Sequence, residues 1–444
     1  MHVPESEKSR PSRTARCTAA RGRCGPSSAA AVEPSTRLII PRSVRFACMR
    51  WRLFVSALVV VAGMVVMPAS ASASVPQRFV GMNLTGPFFS PEVNASGELS
   101  SMIASGVESV RVLAGWSAMQ PYASEADVPT ALRAEFTNVG GVPTNFSSLD
   151  QLVGMAASRR LTVLPDVEFA PAWDARPIPA GVDESSPPTS PGPFARFVAA
   201  LATRYGTHGS FWNAHPNLPK VPIRMWQIWN EPIFTVYWSQ QPFEPGYVQL
   251  LRATRPALRA ADPGAKVVLA GLADFSWQYL ATMYKLHARG LFDAVDVHPY
   301  TATPQGVITI IGKVRAVMNR NGDRNKPILA AEVSWTSSKG NVPPTTSFGI
   351  ETTEPAQATN VAQAVRLLAA NHRRLGLSAF YYFTWIGDET MPQAHDDQFN
   401  FAGLLKFFDG KGTFVKPVLA AFTKAALGVE GCRKRGPLAT NCIC

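Results

Sequence analysis

The sequence predicts an α/β protein folded as a single (β/α)8 barrel of the TIM type, and three observations lead to this prediction. Short apolar segments with β character alternate with longer helical segments, which is the pattern of a parallel sheet with crossover helices. Eight such pairs fit into about 350 residues, the size of one barrel with long loops. The composition, 46% hydrophobic and 17% charged, is that of a folded globular protein. The eight pairs show no change of composition that would indicate a second domain.

The eight strand candidates are runs of five to seven residues rich in apolar and β-branched side chains. Such runs are expected of strands that are buried on both faces of a parallel sheet. In chain order they are Phe79–Leu84, Ser109–Leu113, Leu161–Val167, Ile223–Trp229, Lys266–Ala270, Ala294–His298, Pro327–Glu332 and Ala379–Trp385.

One helix is predicted after each strand, because apolar residues recur there with helical spacing. In chain order the helices are Leu99–Ser105, Leu149–Arg159, Phe194–Tyr205, Tyr247–Ala261, Trp277–Arg289, Pro304–Asn319, Ala356–Leu375 and Val415–Leu427. Two long irregular insertions, 171–193 and 340–356, follow strand candidates. Segments that follow barrel strands lie at the C-terminal mouth, so we expect these insertions to wall a groove there.

The basic residues are concentrated at the N-terminus. Of the net charge of +12 in 444 residues, residues 1–74 supply +8, from eleven Lys/Arg against three Asp/Glu. No Lys/Arg-rich run follows them, so we expect no nucleic-acid partner.

Residues 49–73 have the three parts of a secretory signal peptide. Met49-Arg-Trp-Arg is a short positive segment, Leu53–Met67 is an apolar or small-residue run of 15, and Ala-x-Ala cleavage sites follow at Ala71 and Ala73. The run is shorter than the roughly 20 residues of a membrane-spanning helix, although an uncleaved anchor stays an alternative. We therefore predict a secreted, extracellular protein without stable membrane insertion after cleavage.

The signal peptide divides the chain. Residues 1–48 are rich in Arg, Ser, Pro and Ala, lack periodicity and precede a complete signal that begins at a methionine. We expect them to be a non-native or disordered leader, with translation starting at Met49. Residues 74–430 are expected to form the single barrel domain and residues 431–444 a cysteine-containing tail.

Three cysteines, Cys432, Cys442 and Cys444, follow the signal, all of them in the tail. In an oxidising compartment a disulfide from Cys432 to either Cys442 or Cys444 would tie down the tail and leave one thiol over. Zinc binding by the three thiols is the weaker alternative, because no His stands nearby as a fourth ligand.

The clearest chemical signal is the segment Met225-Trp-Gln-Ile-Trp-Asn-Glu-Pro232, where an apolar β run ends in Asn230 and Glu231. Pro232 removes a ladder N–H and biases the residue before it toward extended backbone. The Glu231 carboxylate is therefore expected at a strand end, where barrels place reactive groups.

A second carboxylate ends the seventh predicted strand. Pro327-Ile-Leu-Ala-Ala-Glu-Val-Ser-Trp335 is a short apolar strand that ends in Glu332, 101 residues after Glu231. Strands four and seven lie on opposite sides of a barrel mouth, so their carboxyl groups can face each other about 5–5.5 Å apart, as a retaining glycosidase requires.

Together these strand ends resemble the clan A glycoside hydrolases, whose fourth strand ends in Asn-Glu-Pro. The form Trp229-Asn-Glu-Pro is most similar to families 39 and 5, and the resemblance extends over residues 77–427. It implies a retaining β-glycosidase in which Glu231 is the acid/base and Glu332 the nucleophile. The expected substrate is a β-linked polysaccharide or oligosaccharide, hydrolysed by double displacement.

The resemblance also implies supporting residues on other strand ends. Arg111 matches a strand-two arginine that pairs with the nucleophile, and His298 and Tyr300 match groups that hold and polarise Glu332. Asn230 is expected to bind the sugar 2-hydroxyl.

Two tryptophans complete the implied set. Trp335 fits the pattern just beyond the nucleophile, and Trp385 matches a strand-eight platform under the sugar. The sequence departs from the resemblance at strand three, which reads Pro165-Asp-Val-Glu168 where many relatives carry a His or another sugar-binding group.

Other interpretations of these residues stay open. Arg111 also suits a structural ion pair, His298 a core histidine, and Asp296 with His298 a metal site, although the sequence offers no third ligand cluster. We expect no metal or organic cofactor and a monomer. The alternative functions are a non-catalytic glycan-binding barrel and a cell-wall transglycosylase.

Overall fold

The computed structural model describes residues 75–178, 186–343, 349–389, 397–408 and 410–444. The predicted leader, residues 1–48, and the predicted signal peptide, residues 49–73, lie outside the described residues. Among the helices in the described ranges, none is long and apolar enough to cross a membrane.

Eight parallel strands form the central sheet, one from each predicted βα unit. They are β1 Val80–Leu84, β2 Ser109–Gly115, β3 Thr162–Glu168, β4 Met225–Ile228, β5 Lys266–Val268, β6 Val295–Val297, β7 Ile328–Val333 and β8 Leu377–Tyr382. Each strand pairs with its sequence neighbours except β5 with β6, and β1 pairs with β8. Parallel bridges from Val268 to Ala294 and from Leu272 to Val297 join β5 to β6 and close the barrel.

Eight helices pack around this sheet, one after each strand. They are α1 Ala95–Ala104, α2 Ser147–Ser158, α3 Pro191–Tyr205, α4 Glu244–Ala261, α5 Ser276–Lys285, α6 Pro304–Arg320, α7 Glu354–Leu375 and α8 Pro417–Glu430. Five of them carry Pro in the first turn, where the missing N–H has no partner to lose and the fixed φ suits a helix. The predicted (β/α)8 barrel is therefore confirmed.

The apolar residues form two separate cores. The larger one lies between the sheet and the helices, where the apolar stripe of each helix is buried against the outer faces of the strands. A smaller cluster fills the barrel itself and consists of Leu164, Val268, Ala294, Leu329, Ala331, Ala379 and Tyr381. Gly81 leaves room for this layer, since a Cβ there would lie 2.3 Å from the Tyr381 ring.

The loops at the C-terminal mouth contain elements that periodicity did not predict. An antiparallel hairpin, Thr137–Val139 with Val142–Thr144, follows β2. After β8 a small sheet is formed by Ile386–Gly387, Leu405–Phe408 and Gly412–Val415. The last of these strands includes Val415, so the predicted start of the final helix is wrong; the helix begins at Pro417, which cannot continue a β-ladder.

The C-terminal tail forms a hairpin of its own at the opposite end of the barrel. Strands Lys434–Arg435 and Cys442–Ile443 are antiparallel, and a disulfide joins Cys432 to Cys442. Cys444 is free and exposed. The pairing that the sequence left open is therefore Cys432 with Cys442.

Candidate active site

The end of β4 presents two polar side chains in succession. Trp229 and Glu231 both have positive φ, 70° and 34°, which side chains other than glycine rarely adopt. These turns let Asn230 and Glu231 both face the barrel mouth, with the Glu231 N–H bonded to the carbonyl of Gly271 (3.1 Å). The expectation that Pro232 holds Glu231 in extended backbone is wrong, because bonds to neighbouring segments override this local preference.

An irregularity in β7 aims the second carboxylate. The pairing with β8 shifts between Ala330–Phe380 and Val333–Tyr382, so β7 contains one extra residue there. Such a bulge changes which side chains face inward. Ala331 belongs to the inner cluster and Val333 to the outer core, which leaves Glu332 to turn into the mouth.

Arg111 on β2 organises the floor of the site. Its buried guanidinium donates hydrogen bonds to oxygens of Asn83 (2.8 Å), Asp166 (2.7 Å), Gln227 (2.7 Å), Asn230 (2.9 Å) and Glu332 (2.8 Å). A planar guanidinium with five fixed donors fixes the positions of several acceptors at once. The predicted contact between Arg111 and Glu332 is present, and it is one of five.

Glu231 and Glu332 face each other across the mouth. A carboxylate oxygen of each lies within 4.8 Å of the other and of a ring nitrogen of His298. The Tyr300 hydroxyl donates to Oε2 of Glu332 at 2.7 Å. His298 Nδ1 lies 3.5 Å from Oε2 of Glu332, the predicted neighbour, and 2.7 Å from Oε1 of Glu231, a contact that was not predicted. Its shorter contact is with Glu231.

Burial and neighbouring charges set the protonation of this group. Burial raises the pKa of Glu231, whereas the hydrogen bond and the charge of His298 lower it, and the upward effect prevails. Burial alone would lower the pKa of His298, but the charge of Glu332 and hydrogen bonds to Asp296 and Glu231 raise it to about 10. At neutral pH the site therefore holds an imidazolium beside a carboxyl group that keeps its proton readily.

A glycine makes room for this imidazole. A Cβ at Gly271, in the segment after β5, would lie 2.0 Å from His298 Nε2. The His298 side chain is fully buried, and its Nε2 also lies 3.5 Å from Asp296 Oδ2. Close approach of the backbone at Gly271 thus holds the ring against Glu231.

The three residues Glu231, His298 and Glu332 have the spacing of a metal site. However, Arg111 and Tyr300 already donate to the two oxygens of Glu332, and the raised pKa of His298 keeps its ring protonated. A metal ligand must be an unprotonated imidazole or a free carboxylate. The donor set therefore fits proton transfer better than metal coordination.

The two predicted tryptophans lie in the core. Trp385 has no exposed surface, and its indole N–H donates to Glu98 of α1 (2.8 Å), so the prediction that it forms a sugar platform is wrong. Trp335 is 1% exposed and donates to the carbonyl of Ala302 (3.2 Å), which leaves it a supporting role only. The partly exposed aromatic ring at the end of β8 is Phe383, in edge contact with Phe399 (5.8 Å).

Several polar residues of the floor were not identified from the sequence. Asn83, Asp166 and Gln227 all bind Arg111 from inside the barrel, and Glu168 ends β3 on the same face. The sequence signal that could have identified these residues is a polar side chain within a strand that is otherwise apolar. Alternation alone did not reveal which face of these doubly buried strands pointed inward.

Comparisons with known proteins agree with this geometry at the level of the fold. No protein-family model and no curated protein matches the sequence. Among solved structures, a family 39 glycoside hydrolase from the gut symbiont Bacteroides cellulosilyticus WH2 matches with a TM-score of 0.53 and 16% identity, over 79% of this chain and 64% of that chain. This chain thus spans less than two thirds of the length of that protein.

Two further solved structures are similar. A family 39 β-xylosidase from Caulobacter crescentus has a TM-score of 0.53 and 18% identity, over 79% of this chain and 71% of that one. A family 51 α-L-arabinofuranosidase from Bifidobacterium longum has a TM-score of 0.52 and 12% identity, over 80% and 74%. The chain therefore has the barrel fold of the clan A glycoside hydrolases, and its fold is similar to that of family 39.

Proposed function

We propose that the protein is a secreted retaining glycoside hydrolase that cleaves O-glycosidic bonds of a β-linked polysaccharide or oligosaccharide. The observation that carries this proposal is the pair of facing carboxyl groups, with oxygens of Glu231 and Glu332 within 4.8 Å. Retaining glycosidases place the two groups about 5–5.5 Å apart, whereas inverting enzymes leave about 6.5–9.5 Å for a water molecule.

The two carboxyl groups differ in the way that double displacement needs. Glu332 accepts hydrogen bonds from Arg111 and Tyr300, one on each of its two oxygens, and these contacts orient it as a nucleophile. Glu231 has a raised pKa and is suited to keep a proton and donate it. A carboxyl group oriented by two donors and a carboxyl group with a raised pKa are thus held on opposite sides of the mouth.

The reaction then follows two steps. Glu332 attacks the anomeric carbon while Glu231 gives its proton to the leaving oxygen, so that the glycosidic bond breaks and a glycosyl ester of Glu332 forms. Water next attacks the anomeric carbon, Glu231 takes one of its protons, and the ester bond breaks. Both carboxyl groups return to their starting states, and the anomeric configuration is retained.

The pKa of Glu231 depends on both His298 and Glu332, and it changes between the two steps. As an imidazolium, His298 favours the ionised form of Glu231, against the burial that raises its pKa. Once Glu332 has become a neutral ester, its repulsion of the Glu231 carboxylate disappears. The pKa of Glu231 then falls, which suits its second role as a base.

The similar structures named above include a β-xylosidase and an α-L-arabinofuranosidase. These names span more than one sugar and more than one linkage, so the proposal names no particular sugar. No metal, organic cofactor or nucleic acid has a part in it.

The function is tested with purified protein on a panel of chromogenic β-glycosides and β-linked polysaccharides. We expect turnover by the wild type and a loss of at least about a thousandfold in Glu332→Ala, because covalent catalysis needs the nucleophile. Azide should restore part of the activity of Glu332→Ala with an activated substrate, since the anion fits the space that the carboxylate leaves.

Controls separate the alternatives. Lys285→Ala, an exposed change at the end of α5 that lies away from the mouth, should behave like the wild type. A wild type that binds glycans but releases no product would indicate a non-catalytic glycan-binding barrel. Transfer to an added sugar acceptor in preference to water would indicate a transglycosylase. An inverted first product, seen by NMR, would exclude double displacement.

Secretion is tested separately by N-terminal sequencing of protein from the culture medium of an expressing cell. We expect the mature chain to begin directly after Ala71 or Ala73, since the Ala-x-Ala pattern ends there. A chain that stays in the membrane fraction with an intact N-terminus would contradict cleavage.

A further inference from the structure

A third glutamate reaches the mouth of the barrel from β3. Glu168 is the last residue of this strand and lies two positions after Asp166, so both side chains are on the same face of β3. Asp166 points into the barrel, because it binds Arg111 at 2.7 Å. Glu168 therefore points inward as well, one layer nearer the mouth, at the level where the other strand ends place Glu231 and Glu332.

Within the part of the chain that the structure describes, the carboxyl group of Glu168 has no hydrogen-bond or ion-pair partner. The residue is only 4% exposed, and its buried Oε2 makes no hydrogen bond. No ion pair of Glu168 occurs among the described residues, whereas each other inward carboxyl group has a donor. These are Arg111 for Asp166, His298 for Glu231, the Ala331 N–H for Asp296, and Arg111 with Tyr300 for Glu332.

The charge balance around Glu168 favours its neutral form. Five carboxyl groups line the inside of the mouth, Asp166, Glu168, Glu231, Asp296 and Glu332, and the cations that face them are Arg111 and His298. Both cations are already bound to other carboxylates. Burial and the repulsion of Asp166 raise the pKa of Glu168 well above its ordinary value.

We propose that Glu168 is a further substrate-binding residue, which as a neutral carboxylic acid exchanges hydrogen bonds with a hydroxyl group of the sugar ring held between Glu231 and Glu332. This inference rests on the proposed glycosidase function. A buried polar group without a partner destabilises a folded protein, and a ligand hydroxyl that both donates and accepts would satisfy it. Strand three would thereby contribute to sugar specificity through a carboxyl group.

Neighbouring rings support a sugar at this position. Phe169, which follows Glu168, is partly exposed and stacks with Tyr237 at a centroid distance of 6.3 Å. The charges of Glu231, Glu332 and Glu168 all raise the pKa of the Tyr237 phenol, together with burial, so this ring borders the same space. Aromatic faces beside a hydrogen-bonding group are the usual walls of a sugar site.

The test compares Glu168→Gln with Glu168→Ala, using Lys285→Ala as the control. An amide has the shape of a neutral carboxylic acid and can also donate and accept, so we expect Glu168→Gln to keep kcat/KM within about threefold of the wild type. Glu168→Ala should lose about 10- to 100-fold, because the sugar hydroxyl is left without its partner. On a series of monodeoxy glycosides, the loss in Glu168→Ala should vanish for the one that lacks the bound hydroxyl.

The melting temperature of the variants distinguishes a role of Glu168 in substrate binding from a structural role. The melting temperature of Glu168→Gln should equal or exceed that of the wild type, because an unpartnered acid contributes nothing to folding. Full activity of Glu168→Ala on every glycoside would overturn the proposal, and so would a Glu168→Gln variant as impaired as Glu168→Ala, since that would require a charged carboxylate.

The outcome is distinguishable from failure of the glycosidase function itself. If the wild type turns over glycosides and Glu168→Ala matches it, only the assignment of Glu168 fails. If the wild type releases no product, oligosaccharide binding measured by calorimetry replaces turnover. The affinity of Glu168→Ala should then be about 10- to 100-fold weaker than that of the wild type and of Glu168→Gln, and equal affinities would overturn the assignment.

Discussion

At the residue scale, the site depends on a few polar side chains that share partners. Arg111 binds both the nucleophile candidate Glu332 and Asn230, the neighbour of Glu231. His298 lies between the two glutamates and contacts both. Because these groups are buried, each one shifts the proton affinity of the others more than it would in water. A substitution of His298 is therefore expected to change the pKa of Glu231.

This coupling predicts a pH effect. In His298→Gln the imidazolium that lowers the pKa of Glu231 is gone, so that pKa rises. The basic limb of the kcat/KM profile, where the free enzyme loses the proton of its acid, should move to higher pH than in the wild type. The measurement is kcat/KM from about pH 4 to 10 with a chromogenic glycoside.

The control is His215→Gln, a change next to the short helix Ser210–Ala214, which should leave the profile unchanged. A basic limb of His298→Gln that stays in place or moves to lower pH would contradict the role given to His298.

At the scale of elements, the C-terminal tail is closed on itself by a disulfide and is held to the barrel by charge. Helix α8 ends at Glu430 and Gly431 follows with φ 72°, a left-handed residue that commonly ends helices. Arg435 of the tail then binds Glu108, which precedes β2, and Glu430. The Cys432–Cys442 bond closes a short loop around these contacts.

The disulfide predicts that the stability of the protein depends on Cys432 and Cys442 but not on Cys444. Closing a loop of sequence separation 10 lowers the entropy of the unfolded chain and is worth about 2–3 kcal/mol. Cys432→Ser should therefore lower the melting temperature of the oxidised protein. Cys444→Ser should leave it unchanged, because this thiol is free. Equal melting temperatures for the wild type and Cys432→Ser would show that the bond contributes nothing.

At the scale of the whole molecule, many buried carboxyl groups bind protons more tightly in the fold than in the unfolded chain. Burial raises the pKa of Asp174 to about 6 and that of Glu430 to about 8, and Glu168 and Glu231 shift in the same direction. The pKa of His298 is also raised, to about 10. All these shifts have one sign and outnumber the opposite shifts of Asp262 and Lys416, so the folded state holds more protons than the unfolded state above about pH 4.

The sign of these shifts predicts how stability depends on pH. A group whose pKa is raised on folding stabilises the fold below its unfolded pKa and loses that contribution as the pH rises through its folded value. The melting temperature should therefore fall steadily between about pH 5 and pH 10. Calorimetric scans across this range test it, and a melting temperature that rises with pH would contradict it.

The sequence by itself determined the barrel and its two facing glutamates. Eight apolar runs that alternate with segments of helical periodicity are compatible with few other folds. The C-terminal ends of all strands in a parallel barrel lie at the same mouth. Glu231 and Glu332 could therefore be placed together although 101 residues separate them. Their chemical roles remain proposals.

Only the tertiary structure decided the details of the site. A bulge in β7 and two positive φ angles in β4 choose which side chains face the mouth, and neither is visible in hydrophobic periodicity. Trp385 and Trp335 proved to be core residues, while Glu168 proved to be a buried acid that has no partner among the described residues. Periodicity reports how much of a strand is buried, whereas the identity of each contact depends on which distant segments the closed barrel brings within reach.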